Sequence, residues 1–180
     1  MRTISNLGLH PWGVIIVLLL WWQIILPVTV FARVTPEDIV NSKKEAYESR
    51  VVNYSAAHRQ NLEIFSKKIV EVNKKRTDEL DRIMVAQALI LDEYETRLRQ
   101  GSGGQGRRAD EIEKARYWIT YAHEAVAYQA AKIYIFDLSG ESNITRDALN
   151  TISFFQSELN SARSKVINSQ KILTDVVKLK

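Results

Sequence analysis

The stretch "EAYESRVVNYSAAHRQNLEIFSKKIVEVN", residues 45–73, decides the fold class. Its apolar and aromatic positions, Tyr47, Val51, Tyr54, His58, Leu62, Phe65, Ile69 and Val72, recur at alternating threes and fours. That is the period of a helix with one buried seam. The seam continues, with slight drift, through Leu80, Ile83, Ile90, Leu91, Tyr94 and Leu98. Thr35-Pro36-Glu37-Asp38 supplies a start signal: a capping hydroxyl, a proline tolerated in the first turn, and two carboxylates at the positive end of the dipole. No proline interrupts residues 37–100, which predicts one long helix over 36–100, softened near "VVNYSAAH".

Working outward, "GSGGQGRR" at 101–108 reads as a flexible linker. A second helix is expected over about 109–137, with Ile112, Ala115, Ile119, Ala122, Val126, Ala130 and Ile133 on one face. After the turn "DLSGESNIT", a third helix over about 146–180 aligns Leu149, Ile152, Phe155, Leu159, Ala162, Val166, Leu173 and Val177. No alternating strand of useful length is present. The expected fold is all-α: an elongated antiparallel three-helix bundle or coiled coil with one long N-terminal helix, preceded by a signal or anchor helix. A 65-residue first helix would span ~95 Å, so residues 36–58 would project past the other two. Three arrangements answer that: the segment breaks and folds back, pairs with another chain, or rises as a stalk. Stalk or pairing is the favoured expectation.

Residues 1–32 have the parts of an export leader: Arg2 in the n-region, an uncharged centre "WGVIIVLLLWWQIILPVTVFA", and Val30 and Ala32 before Arg33 at a small-residue cleavage site. The competing reading is a permanent N-terminal membrane anchor, since the uncharged stretch reaches the ~20 residues a bilayer requires. Both readings place residues 33–180 outside the cytoplasm, at the periplasm or cell surface, either soluble or held by a single span.

Composition narrows function. The chain has 25 Lys and Arg against 21 Asp and Glu, and removing Arg2 with the leader leaves 24 against 21. Such a mixed, slightly basic surface is a solvated helical one, and no nucleic acid is expected as a partner. Without cysteine there are no disulfides, thiolate metal sites or cysteine nucleophiles. "GSGGQG" matches the glycine spacing of a dinucleotide loop, yet a charged helix end precedes it where that loop needs a strand, and Arg107 and Arg108 stand where a P-loop has Lys and Ser or Thr. "HEAVA" at 123–127 lacks the second histidine of a zinc-protease helix, and His58 sits on the apolar seam. No catalytic, cofactor or metal residues are assigned, and a non-enzymatic protein is expected.

Three surfaces remain as candidates for binding. Arg97, Arg99, Arg107 and Arg108 bracket the linker; they complement a helix dipole or contact an anion. On the second helix Tyr117, Tyr121, Tyr128 and Ile135 gather opposite the Ile/Ala/Val seam. Apolar character on two faces means either a helix packed between neighbours or a surface for a partner or a glycan. Tyr47, Val51 and Tyr54 of the projecting segment form a second candidate partner surface, for another protein or for self-association.

The segment "AHEAVAYQAAKIYIFDLSGESNITRDALNTISFFQSELNSARSKVINSQKI" joins an alanine-rich helix closing on Q-A-A-K-x-Y, a Ser/Gly/Asn turn, and a helix with "L-x-x-A-R"-type repeats. With the leader and the long charged helix, this texture resembles uncharacterised exported helical envelope proteins of small-genome bacteria. The resemblance implies an envelope location and no catalytic or ligand residue. The expected function is a spacer or protein-interaction module; the alternative is a periplasmic chaperone-like or sensor-like helical bundle that binds a ligand.

Overall fold

The computed structural model describes residues 35–100 and 105–178. Its elements are helical: α1 Pro36–Val51, α2 Ala56–Gln100, α3 Gln105–Ala131, a short 3-10 turn Glu141–Asn143, and α4 Ile144–Lys178. The helices pack together, and among the described residues there is no strand. The expected leader, the expected cleavage site at Ala32–Arg33 and the glycines at 101, 103 and 104 lie outside the described residues.

The expected helix over 36–100 is two helices. β-Branched Val51 and Val52 are followed by Asn53 and Ser55, residues that favour turns and caps over helix interiors. The chain closes there with i→i−3 bonds, Asn53 N–H to Arg50 O at 3.2 Å and Tyr54 N–H to Val51 O at 3.0 Å. A new helix then opens as Arg59 N–H donates to Ser55 O at 3.0 Å. Neither stalk nor pairing is needed, because α1 folds back. Tyr47 packs 6.4 Å from Phe136, ring centroid to centroid, and Arg50 donates to Leu138 O and pairs with Asp137. Tyr54 is 9% exposed, and Tyr47 and Val51 pack partly buried around the same cluster. These three, expected as a partner surface, therefore serve the core.

α3 begins at Gln105, inside the expected linker, and ends at Ala131 instead of Asp137. "KIYIFDL" is rich in β-branched and aromatic residues, which lose rotamer freedom in a helix. Burial alternates along it: Phe136 and Leu138 are buried, Tyr134 and Ile135 half-buried, and Ile133 and Asp137 exposed. A period near two suits a non-helical strap laid over an apolar surface. Ile133 and Ile135 thus leave the helical faces assigned to them. α4 keeps the expected bounds to within two residues.

The pairings between helices set their directions. Arg116 meets Asp92 and Glu95, His123 meets Asp81, and Gln129 meets Asn73, so α3 runs antiparallel to α2. α4 runs parallel to α2, with Leu62 near Ala148 and Gln87 bonded to Ser169. One apolar cluster centres on Met84, Leu91, Ala115, Ala122, Val126 and Val166. The fully buried alanines let the helix backbones approach closely. A second cluster joins Tyr54, Leu62, Ile69, Phe136, Leu138 and Phe155. Asn73 lies between them in sequence and exchanges bonds with Gln129: Nδ2–H to Gln129 O and Gln129 Nε2–H to Asn73 Oδ1, both 3.0 Å. Burying such amides unpaired would cost ~1–3 kcal/mol each, so the pair fixes which residues face one another.

Candidate functional site

α3 shows two faces. Ala115, Ile119, Ala122, Val126 and Gln129 point into the core at alternating fours and threes. Gln129, not Ala130, ends that seam. On another face Tyr117 is 62% exposed, Tyr121 38% and Tyr128 68%. Of the two sequence readings, packing between neighbours or an outer surface, this geometry is the outer one. Ile135 does not join it, since it lies in the strap and is half-buried.

The ridge is ordered by its own contacts. The Tyr117 and Tyr121 rings lie parallel, 3° between planes and 6.3 Å between centroids. Half-buried Trp118 meets both edge-on, at 5.6 and 5.7 Å. Lys165 of α4 sets its ammonium 4.8 Å from the Tyr121 centroid, and Lys132 lies 4.7 Å from that of Tyr128. Lys132 also pairs with Glu158 and faces Phe154, which is exposed. Burial, with the nearby Lys165 charge second, holds the Lys132 ammonium below its ordinary pKa. Tyr134 carries the aromatic contacts inward, edge-on to Phe154 at 6.2 Å and to Phe155 at 5.1 Å.

The sequence reading missed Trp118, Lys132, Phe154 and Lys165 as members of this site. A partial signal existed: Trp118 adjoins Tyr117, and "SFFQ" places Phe154 beside the seam residue Phe155. The lysines carried none, because their role depends on where α4 lies against α3.

Two arginines of the cluster are held in ion pairs. Arg97 pairs with Glu93 and Arg99 with Glu95, each at 2.5 Å and four residues apart. Arg116 adds a second cation to Glu95 at 2.6 Å, and the Arg99 hydrogen bond holds that carboxyl below its usual range. Arg108 is half-buried and lines a cleft of about 440 Å³ with Leu98, Ile112, Glu113 and Arg116. The Arg107 side chain lies outside the described residues.

A separate groove of about 290 Å³ runs between the starts of α2 and α4, over Leu62 and Ala148, with Phe65, Leu149 and Ile152 as apolar walls. At its rim His58 Nδ1 lies 2.7 Å from Glu141 Oε1. His123 Nε2 of α3 lies 3.0 Å from Asp81 Oδ1 of α2. Among the described residues, no group of His, Cys, Asp and Glu is arranged to hold a metal ion, and no helix is long and apolar enough to cross a membrane. No protein family, curated protein or solved structure matches this chain.

Proposed function

We propose that this chain is a non-enzymatic, exported cell-envelope protein that works as a spacer and protein-interaction module. Residues 1–32 lead it out of the cytoplasm, as a cleaved signal peptide or a single anchor. α2, α3 and α4 form the body, an elongated antiparallel three-helix coil, and α3 carries the docking face. One observation supports this above the others: Tyr117, Tyr121 and Tyr128 stand exposed on one ridge, stiffened by Trp118, Lys132 and Lys165. Tyrosine offers rigid apolar area with a polar tip at little entropic cost, which suits a protein partner. The test places a photo-crosslinking amino acid at position 121 or 128 of the full chain in its native envelope. A protein crosslink from both positions, with none from the exposed position 85 on α2, is the expected result. Equal yields from all three would refute a specific ridge.

The groove at the starts of α2 and α4 favours a second reading, a chaperone-like bundle that holds apolar segments. Exposed Phe65 and Leu149 flank it. That reading requires the chain to slow aggregation of an unfolded client and Phe65→Ser with Leu149→Ser to abolish the effect.

A further inference from the structure

The corner between α1 and α2 is held in an unusual way. Weak helix formers at 51–55 permit the bend but do not compel it, because residues 37–100 contain neither proline nor glycine. Val52 N–H still reaches Glu48 O at 3.3 Å, as in an unbroken helix. The apolar seam also keeps its phase across the break: Tyr47, Val51, Tyr54, His58 and Leu62 follow at steps of four, three, four and four. That is the spacing of one uninterrupted helical face. The bonds that hold the bend come instead from distant residues. Glu141 accepts the Ser55 N–H at 2.7 Å and meets His58, and Arg50 donates to Leu138 O. α1 itself has no buried residue. In the bent form the first N–H groups of α2, at Ala56, Ala57 and His58, have no intrahelical acceptor. A straight helix would give them, and Ser55 N–H, the carbonyls of residues 51–54. It would forfeit the Glu141 and Arg50 contacts and the packing of Tyr47, Val51 and Tyr54 in the cluster of Phe136 and Leu138. Opposed contributions of this kind make a two-state element.

We propose that the α1–α2 corner is an extensible hinge latched by Glu141 and Arg50: with the latch released, residues 36–100 straighten into one continuous helix while α2, α3 and α4 stay packed. Residues 36–55 then extend the chain by ~30 Å at 1.5 Å per residue, and Phe136 and Leu138 lose their cover. The hinge does not depend on the tyrosine ridge. The chain has no cysteine, so Lys43→Cys and Lys67→Cys place two spin labels on the full chain in neutral detergent. Asn41 and Lys44 line one cleft with Ser66, which brings the labels close in the bent form. Along one straight helix they stand ~36 Å apart. Pulsed electron resonance should give mainly the short distance in the labelled parent. Arg50→Ala with Glu141→Ala should add a narrow peak near ~36 Å, with helicity by circular dichroism undiminished. Ala56→Pro suits the first position of α2 but not the interior of a continuous helix. Adding it to the released variant should abolish the long peak. Three results would overturn the proposal. An unchanged short distance in the released variant would mean that no second state lies within reach. A broad spread with lower helicity would mean that α1 undocks and melts. A long peak that survives Ala56→Pro would mean that α1 swings out without joining α2.

Discussion

Glu141 reaches back 86 residues along the chain to accept the Ser55 backbone N–H at 2.7 Å, and the same oxygen meets His58 Nδ1 at 2.7 Å. One carboxylate thus caps the start of α2 from the far end of the strap. Asp147, in the first turn of α4, holds the strap itself, accepting Ser139 N–H at 2.6 Å and Ser139 Oγ–H at 2.7 Å. With Arg50 on Leu138 O, these bonds tie the α1–α2 corner to the 132–147 segment. The corner is polar at its rim and apolar beneath, where Tyr54, Phe136 and Leu138 are buried.

The capping carboxylate makes stability depend on acid. Hydrogen bonds from the Ser55 backbone, then from His58, hold Glu141 down at about 2 against an ordinary 4.5. Its folded-state value is depressed, so its contribution is complete above the unfolded value and is lost as pH falls from about 4.5 toward 2. Thermal unfolding of wild type and Glu141→Gln across that range checks it. The wild type should melt higher at neutral pH, with the gap closing only below pH ~4.5. A gap independent of pH would mean that the carboxylate charge contributes nothing.

The buried Asn73–Gln129 pair should behave as a unit. Asn73→Ala strands the Gln129 amide and should cost about 1–3 kcal/mol beyond the lost packing. Asn73→Leu with Gln129→Leu removes both polar groups and should recover much of that loss, though Gln129 also donates to Tyr134 Oη at 2.8 Å. Urea unfolding of Asn73→Leu, Gln129→Leu and the double measures the coupling. Additive losses would show that the two side chains act independently.

α1 should open before the rest. None of its residues is buried, and it is held chiefly through Tyr47, Arg50 and Val51. Elements with few buried contacts exchange amide protons by local opening. Hydrogen exchange read by mass spectrometry should show 36–51 exchanging well ahead of 80–91. Arg50→Ala should speed the first segment and leave the second unchanged.

The all-helical class was legible because the three-and-four spacing of Leu62, Phe65, Ile69 and Val72 survives any tertiary arrangement. The break at 52–55 was only half legible. Val-Val-Asn-Tyr-Ser is weak helix, but what stabilises the corner is Glu141, and no local pattern reveals a cap so distant. The strap was misread because "KIYIFDL" continues the helical period well enough to hide its alternation. In the candidate site, the tyrosine spacing was visible and its exposure was not. Whether Tyr121 faces solvent or a neighbour depends on where α4 lies, and that follows from Ala115, Ala122 and Ala162 packing at the seam.

The most direct test of a docking ridge is the Tyr121→Ser/Tyr128→Ser double variant, with a photo-crosslinker at position 117 and melting followed in the same preparation. Loss of two exposed rings and their lysine contacts should lower the melting temperature by only about 5 °C. The crosslink to a partner should disappear. A fall several times larger, with the crosslink retained, would make these tyrosines structural and contradict a docking role for α3.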